Sequence, residues 1–365
     1  MMIQVIRLER KLIPMLKRRF LISAAVLSAA ILFSACGKQE PQEQPGLSEN
    51  EIVLSNDNKE DPDDENDVLE KPDAASRITV KAVVVGDCTG IGFAPIMGWG
   101  EKDKNHEIYE LSVKENAKAA AEELESGNAD VAILPLDTAV RLYNEKKDIV
   151  MLATNTYNNM YITDLSGEIN KKSMLSGKTV VYAEDGSLTA SAARLMLEKC
   201  GAQAQPAESN EKIKTDIASG SVQLALMPEP YVTLAKFDND DVQLGPDVTD
   251  MWNDVDENSK IISSVLVARK DFVENNEGSM IYILDDFKQS VNTVIYGITK
   301  TLDYSAQFNI MTDKSLAVST MRNCGYEFTE GADMRIVAEN FISVNADVFE
   351  GNLPDKDFYY IPSEG

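Results

Sequence analysis

Short apolar runs alternate with amphipathic segments along the chain from Arg77 onward. The apolar runs, rich in β-branched residues, predict buried strands at 78–85, 131–134, 149–153, 179–183, 224–227 and 262–268. Apolar positions at helical spacing predict helices at 113–124, 135–143, 188–201, 280–298 and 334–342. This alternation indicates an α/β protein built on parallel sheets. Because 289 residues follow residue 76, which is near the size where one core stops growing, we expect two lobes.

Two stretches of the chain repeat one pattern at an offset of 93 residues. Residues 124–143 read LESGNADVAILPLDTAVRLY, and residues 217–236 read IASGSVQLALMPEPYVTLAK. Each contains a helix end, a Ser-Gly pair, a buried strand, a proline turn and a new helix. Because the loop after a parallel strand faces the ligand crevice, 135–138 and 228–231 are predicted at equivalent rims of two lobes. The identical pairs are Ser126/Ser219, Gly127/Gly220, Ala132/Ala225 and Pro135/Pro228.

The first 35 residues have the layout of a secretory signal peptide. Residues 1–19 contain six Lys or Arg and one acidic residue, and residues 20–33 are apolar or small throughout. This stretch of 14 residues is shorter than the about 20 that cross a bilayer, although an uncleaved signal anchor remains the alternative. The sequence Phe-Ser-Ala-Cys at 33–36 resembles a bacterial lipobox. The resemblance implies cleavage before Cys36 and lipidation of its thiol.

Residues 37–76 are predicted to be a disordered acidic tether. They contain 13 acidic and 3 basic residues, interspersed with Pro, Gln, Asn and Ser. Such a composition buries too little apolar surface to offset the entropy of ordering, and like charges extend it. Together with lipidated Cys36, the tether predicts an extracytoplasmic protein that is anchored to the bacterial cell membrane by lipid.

Charge and composition exclude several classes of function. With 35 basic and 60 acidic residues the net charge is −25, which disfavours nucleic acid as a partner. The only histidine, His106, lies in a polar run where we expect it to be exposed, so a His-rich metal site is excluded. Cys88, Cys200 and Cys324 form no CxxC pair. They allow either one disulfide and a free thiol or three free thiols.

Short motifs recur in a fixed order along the chain. They are the SGxxDxAxLP pattern at 126–135, LSGKTV at 175–180 with GSLT at 186–189, MPEPY at 227–231, VARKDF at 267–272 and LPDKDFYY at 353–360. This series resembles the solute-binding lipoproteins of ABC importers, in particular the group for nitrate, sulfonates, taurine and thiamine precursors. The resemblance covers about residues 77–360, and the order and spacing of the motifs are specific for the superfamily rather than for a ligand.

The resemblance implies the type II periplasmic-binding-protein fold, an α/β architecture of two Rossmann-like lobes joined by a two-strand hinge. The repeat and two polar crossings place the first lobe at 77–157 and 262–365 and the second lobe at 158–261. The family's ligand binds between the lobes. The resemblance further implies a small-molecule solute, an ABC permease with its ATPase as partners, and no catalysis, cofactor or metal. We expect a monomer.

Five loops are predicted to line the cleft between the lobes. Thr89 and Gly90 begin a helix whose free N–H groups suit an anion or a carbonyl, or they form a turn that serves packing. Asp137 and Thr138 either contact the ligand or cap their helix. The other candidates are Asn155 and Tyr157 after a buried strand, Ser187 and Thr189 at a helix start, and Glu229 and Tyr231 at the second proline turn.

The charges of these loops favour one class of ligand. They contain Asp87, Asp137 and Glu229 but no Lys or Arg, so a nitrate or sulfonate would rely on helix N-termini alone. A neutral or amine-bearing ligand, with an aromatic ring for Tyr231 to stack on, fits better. Alternatively, these acidic residues belong to the solvated surface of an acidic chain.

Two other functions compete with transport. The same fold includes a thiamine-pyrimidine synthase, which depends on a Cys-rich motif and a reactive His that are not matched by the isolated cysteines here. A ligand-sensing lipoprotein without a permease would have the same sequence features as a transport protein.

Overall fold

The structure is a computed structural model that describes residues 77–103 and 105–362. The predicted signal peptide at 1–35, Cys36 and the tether at 37–76 lie outside the described residues. The described part forms two lobes, each built on a five-stranded sheet. The strands are β1 (Val80–Val85), β2 (Tyr109–Lys114), β3 (Val131–Pro135), β4 (Ile149–Tyr157), β5 (Met160–Asp164), β6 (Thr179–Ala183), β7 (Gln203–Ala207), β8 (Leu224–Pro228), β9 (Gln243–Leu244) and β10 (Ile262–Arg269).

Helices connect most of these strands. Several begin at a side chain that accepts a free N–H group of the first turn, such as Asn116 from Ala119 N at 2.9 Å. The helices are α1 (Ala94–Gly100), α2 (Ala117–Glu125), α3 (Leu136–Lys146), α4 (Leu188–Lys199), α5 (Asn210–Ala218), α6 (Tyr231–Asp238), α7 (Val248–Val255), α8 (Lys270–Asn275), α9 (Glu277–Tyr296), α10 (Ile298–Gln307), α11 (Lys314–Asn323) and α12 (Gly331–Val344).

The sheet of the first lobe has the strand order β2-β1-β3-β10-β4. Strands β1, β2 and β3 are parallel, as predicted, whereas β10 runs antiparallel to β3 and β4, so the prediction of fully parallel sheets is wrong. The reason is the chain path. Strand β10 returns from the second lobe, so it enters the first sheet at the end of the strands where β4 leaves it.

The sheet of the second lobe has the equivalent order β7-β6-β8-β5-β9. Strands β6, β7 and β8 are parallel, and β5 is antiparallel to β8 because it continues the path of β4 across the hinge. The repeated stretches contain β3 and β8, each the third strand in the order of its sheet, and continue into the helices α3 and α6. Both are preceded by a helix end with a glycine at positive φ, Gly127 and Gly220, so the repeat corresponds to one βα unit in each lobe.

The first sheet is buried on both faces. All nine residues of β4 are buried, and alternate residues of β1 pack into two different clusters. Val83 contributes to the cluster that continues into the second lobe, whereas Val84 packs towards α1 and α9. Burial on both faces explains why these strands read as continuous apolar runs in the sequence.

Two predicted helices differ from the structure. The helix predicted from 113 begins only at Ala117, because Tyr109, Leu111 and Val113 alternate along β2 with a period of two. The long helix predicted over 280–298 is two helices, α9 and α10, which meet at Gly297. Its apolar positions continue across this break, so periodicity alone does not reveal it.

Two chain crossings form the hinge between the lobes. Asn158 N, between β4 and β5, donates to Ile261 O, just before β10, at 2.9 Å. The side chains also meet, since Ser263 Oγ donates to Asn159 Oδ1 at 2.8 Å. These bonds hold the two crossings side by side.

The chain after α11 lies against this hinge. We call residues 323–326 the hinge-side segment. Tyr157 N donates to Gly325 O at 2.8 Å, and Tyr326 forms an isolated bridge with Thr156. Gly325 has a φ of 58°, and a Cβ at this position would lie 2.0 Å from Tyr157 O. The close approach therefore requires glycine.

Candidate functional site

The predicted loops lie at the sheet edges that face each other across the hinge. In the first sheet the carboxyl ends of β1, β3 and β4 share the edge where β4 leaves the lobe. In the second sheet Pro228, at the carboxyl end of β8, pairs with Met160, the first residue of β5. The two edges therefore border one cleft, as the rule for the crevice of α/β folds predicts.

The loop after β1 is held by its own side chains. Asp87 Oδ1 accepts hydrogen bonds from Thr89 N at 2.8 Å and from Thr89 Oγ1 at 2.6 Å. Gly90 is buried, and a Cβ there would lie 2.1 Å from Val85 O. Thr89 and Gly90 therefore shape the turn that places Asp87 at the cleft.

Asn155 braces this loop from β4. Its side chain is fully buried, and Nδ2 donates to Thr89 O and to Ser264 Oγ, both at 2.9 Å. Its Oδ1 is buried and has no hydrogen-bond partner among the described residues; a Cβ on Gly92 would lie 2.2 Å from it. Asn155 thus connects the loop to β4 and β10 through bonds within the first lobe.

Glu229 connects the second lobe to the hinge-side segment. The residue is 4% exposed, and its carboxylate accepts from Thr233 N at 3.1 Å and from Thr233 Oγ1 at 2.9 Å. Asn323 Nδ2 donates to the same carboxylate at 2.6 Å. Burial raises the pKa of Glu229, and the hydrogen bonds from Asn323 and Thr233 oppose that rise.

Asn323 makes a second bond to this lobe. Its backbone carbonyl oxygen accepts a hydrogen bond at 2.8 Å from the hydroxyl of Tyr161, which lies in β5. Burial raises the pKa of Tyr161, and the nearby Glu229 charge raises it further. The side-chain amide and the backbone carbonyl of Asn323 therefore both bond to the second lobe.

Asp137 occupies the first turn of α3 on the other side of the cleft. Its pKa is raised to about 6, chiefly by burial, while Arg141 on the same helix lowers it and Asp185 of the second lobe raises it. Arg141 Nη2 donates to Gly186 O at 2.9 Å, which is a contact between the lobes. The remaining candidate of this loop, Thr138, is half-buried on the same turn.

Ser187 and Thr189 cap the start of α4. Ser187 Oγ accepts from Ala190 N at 3.1 Å and lies 2.9 Å from Thr189 Oγ1. Both residues line a small cavity of about 10 Å³ that also touches Asp185 and Pro228, with room for about one water molecule. A cavity of about 530 Å³ lies elsewhere, around Val150 near the amino end of β4.

The two candidate tyrosines have different surroundings. The Tyr157 hydroxyl donates to Thr329 Oγ1 of the first lobe at 3.1 Å, and Lys260 Nζ, just before the second hinge crossing, lies 5.2 Å from the ring centroid. Tyr231 is half-buried, and burial followed by the charges of Glu211 and Asp87 raises its pKa. No hydrogen bond from its hydroxyl is found within the described residues. Tyr231 therefore has a polar end to offer at the cleft.

Asp87, Glu229 and Tyr231 are thus electrostatic neighbours in the structure. The charges of Asp87 and Glu229 both raise the pKa of Cys88, and the charge of Asp87 also raises the pKa of Tyr231. The charges of Arg141 and Asp185 act on Asp137, and Asp185 also raises the pKa of Tyr231. Sequence reasoning missed Asn323, Tyr161, Arg141 and Asp185. Only Arg141 has a sequence signal, because it lies one helical turn after Asp137. Arg322, the residue before Asn323, is exposed.

His106 lies at the opposite end of the first sheet, and its predicted exposure is wrong. Its side chain is 17% exposed, and Nε2 lies 3.3 Å from the buried carboxylate of Asp286, which also contacts Arg77 at 3.2 Å. Tyr109 OH donates to the same carboxylate at 2.9 Å. This cluster surrounds the amino end of β1, whereas Asp87 follows its carboxyl end.

Comparisons with known proteins support the fold. No protein-family model matches the chain, and no curated protein matches it. An ABC transporter protein from Parabacteroides distasonis has a TM-score of 0.63 at 16% identity, covering 78% of this chain and 99% of that chain. The periplasmic aliphatic sulphonate binding protein SsuA from Escherichia coli has a TM-score of 0.62 at 14% identity, covering 80% and 95%.

A third solved structure is the zinc-bound ligand-binding component of an ABC-type import system from Staphylococcus aureus. Its TM-score is 0.58 at 13% identity, covering 78% of this chain and 97% of that chain. At these identities the likeness shows the fold, and the described residues have the type II periplasmic-binding-protein fold with two α/β lobes.

Between residues 77 and 362, Lys104 excepted, no group of three or more His, Cys, Asp or Glu side chains is arranged to hold a metal ion. None of the helices in this part of the chain is long and apolar enough to cross a membrane.

Proposed function

We propose that this protein is an extracytoplasmic solute-binding lipoprotein that captures a small organic molecule between its lobes and delivers it to an ABC importer. The fold is shared with the Escherichia coli protein, which binds aliphatic sulphonates, and with the import component from Staphylococcus aureus. The observation that carries the proposal is the cleft itself. Asp137 of the first lobe and Glu229 and Tyr231 of the second lie at facing sheet edges joined by a two-crossing hinge.

The charges at the cleft favour a ligand that carries an amine or a ring N–H group. Asp87, Asp137, Asp185 and Glu229 border the cleft, and two carboxylates close together are costly unless a donor or a cation lies between them. Arg141 is the cation that acts on Asp137, and its guanidinium already donates to Gly186 O at 2.9 Å. A sulfonate or nitrate would therefore face an excess of negative charge.

Tyr231 and the loop after β1 provide the remaining contacts of the proposed site. Tyr231 stacks on a planar ligand or bonds to it through its hydroxyl. The proposed ligand contacts are those predicted from the sequence, with Thr89, Gly90 and Asn155 shaping the first wall and Ser187 and Thr189 the second. In this proposal the lobes separate about the two-crossing hinge to admit a ligand and close over it.

A thermal-shift screen of the full-length chain tests this proposal. A ligand at a hundredfold excess over its dissociation constant stabilises the folded state by about 2.7 kcal/mol, which raises the melting temperature measurably. We expect thiamine precursors, other nitrogen heterocycles or amines to produce such a shift, and native mass spectrometry to show one bound molecule per chain.

Matched variants locate the binding site. Glu229→Gln removes the charge but keeps the shape, and Tyr231→Ala removes the ring; both should abolish the shift. Tyr296→Ala is the control, because Tyr296 is 86% exposed on α9 and should leave the shift unchanged. If only oxyanions stabilise the chain, or if the cleft variants keep the full shift, the proposed site chemistry is wrong.

A further inference from the structure

Two buried thiols meet beside the cleft. Cys88 follows Asp87 in the loop after β1 and is 1% exposed, and Cys324 lies in the hinge-side segment and is fully buried. Both cysteines belong to the same buried cluster of the first lobe, and Tyr326, two residues after Cys324, donates to Cys88 O. The neighbouring Cys324 thiol and burial raise the pKa of Cys88. The pair therefore brings together positions 236 residues apart in the sequence.

Both backbones of this pair are held in place by other contacts. The Tyr326 hydroxyl donates to Cys88 O, so the hinge-side segment bonds directly to the loop that carries Cys88. Directly after Cys324, Gly325 O accepts a hydrogen bond from Tyr157 N at 2.8 Å. The loop is also braced by Asn155, which donates to Thr89 O at 2.9 Å. The neighbouring thiols are thus held by hydrogen bonds on both sides.

We propose that Cys88 and Cys324 form a disulfide that staples the loop after β1 to the hinge-side segment. The bond forms by thiol–disulfide exchange with a disulfide oxidant such as oxidised glutathione. The two cysteines lose two protons and two electrons as their S–S bond forms, and the S–S bond of the oxidant breaks to give two thiols. Because both thiols are buried, exchange takes place while the chain folds or while the lobes are apart.

Of the three cysteines that the structure describes, Cys200 is the one that this assignment leaves unpaired. It follows α4 in the second lobe, where Gly177 N donates to Gly201 O at 2.8 Å, next to the amino end of β6. The cleft lies at the carboxyl end of that strand. A strand of five residues spans roughly 16 Å, which exceeds the reach of a disulfide to either cleft cysteine. All three of these cysteines are free thiols in the structure. Of the two patterns that the sequence allows, the proposal therefore selects one disulfide, between Cys88 and Cys324, with Cys200 as the free thiol.

The staple would act on the contact between the lobes. Cys324 is adjacent to Asn323, whose amide and carbonyl bond to Glu229 and Tyr161 of the second lobe. A covalent link at Cys324 therefore holds Asn323 in position beside Asp87. The proposed disulfide needs no ligand, so its test is independent of the proposed solute-binding function.

Peptide mapping of the full-length chain tests the disulfide. The chain is refolded with a mixture of reduced and oxidised glutathione, alkylated without reduction and digested with trypsin. We expect the peptide 82–102 to be linked to the peptide 323–335, at the summed mass less two hydrogens, and the Cys200 peptide 200–212 to be alkylated. Alkylation of both Cys88 and Cys324, or a link from either one to Cys200, would overturn the proposal.

Variants and stability supply the control. Cys200→Ser should keep the linked peptide pair, and Cys324→Ser should lose it and leave Cys88 alkylated. The oxidised wild-type chain should melt about 5 °C or more above the reduced chain, a difference that Cys324→Ser should lack. Equal melting temperatures of the oxidised and reduced wild-type chain would argue against a staple. If Cys324→Ser does not fold, the peptide map of the wild-type chain decides the question alone.

Discussion

Asn323 Nδ2 donates a 2.6 Å hydrogen bond to the buried carboxylate of Glu229, and this bond joins the chain after α11 to the second lobe. Because Glu229 also accepts from Thr233, its charge is held by donors from two parts of the chain that are 90 residues apart. The contact places an asparagine that is not conspicuous in the sequence at the centre of the cleft.

Asn323→Ala should destabilise the folded chain by about 1–3 kcal/mol, because Glu229 stays buried with one donor fewer. The loss of folding free energy should be larger at pH 8 than at pH 5. Without the Asn323 donor the folded-state pKa of Glu229 rises further, so the cost of burial falls on the ionised carboxylate, which predominates at the higher pH. Urea unfolding measures both values. Arg322→Ala is the matched control at an exposed neighbour, and an equal effect of the two variants would contradict the role of Asn323.

Gly325→Ala should destabilise the chain by about 2–4 kcal/mol. Gly325 has a positive φ of 58°, and the new Cβ would lie 2.0 Å from Tyr157 O, so the hinge-side segment must move. Gly278→Ala is the control, because a Cβ there meets nothing within 4 Å in helix α9. That variant should be neutral or stabilising by up to about 1 kcal/mol. Melting temperatures of the two proteins, measured in parallel, check the difference.

Asp137→Asn should make the chain more stable at pH 8, by on the order of 2 kcal/mol. The folded-state pKa of Asp137 is about 6, above its ordinary value, so the folded state holds this proton more tightly than the unfolded state. The protonated carboxyl of Asp137 contributes its whole stabilisation of the folded state below about pH 4, and this contribution is lost as the pH rises through about 6. The advantage of the variant should therefore vanish below about pH 4.

Denaturation across pH 4–8 measures this dependence. Asp240→Asn, which changes an exposed carboxyl, serves as the control and should follow the wild-type curve. Parallel curves for Asp137→Asn and the wild type would show that Asp137 has an ordinary pKa.

Cys36→Ser should release the protein from the membrane fraction or block its processing, because it removes the thiol of the proposed lipid anchor. Fractionation and gel mobility of the expressed full-length chain measure the two effects. Cys200→Ser is a suitable control that keeps the anchor. Unchanged membrane retention together with unchanged mobility would contradict the anchor.

The sequence predicted two of the five strands of the second lobe's sheet, β6 and β8, and the equivalence of β8 to β3 in the first lobe, whereas β5, β7 and β9 were not predicted. Strand β6 has the predicted bounds, and the repeat at an offset of 93 residues marks β3 and β8, the third strand of each sheet. These features can be read from the sequence for two reasons. A strand buried on both faces has a continuous apolar run, and a helix commonly ends at a glycine in the left-handed region, such as Gly127 after Ser126. The loops at the carboxyl ends of parallel strands then followed from the general rule for α/β folds.

The direction of β5 and β10 and the partners of the cleft residues were decided only by the tertiary structure. An antiparallel strand has the same composition as a parallel one when both faces are buried, so only the chain path across the hinge reveals it. Asn323 and Cys324 reach Glu229 and Cys88 from far along the sequence, and no local pattern encodes such contacts. Side-chain spacing predicts which residues share a face, whereas a hydrogen bond between distant segments depends on how the lobes and the hinge-side segment pack.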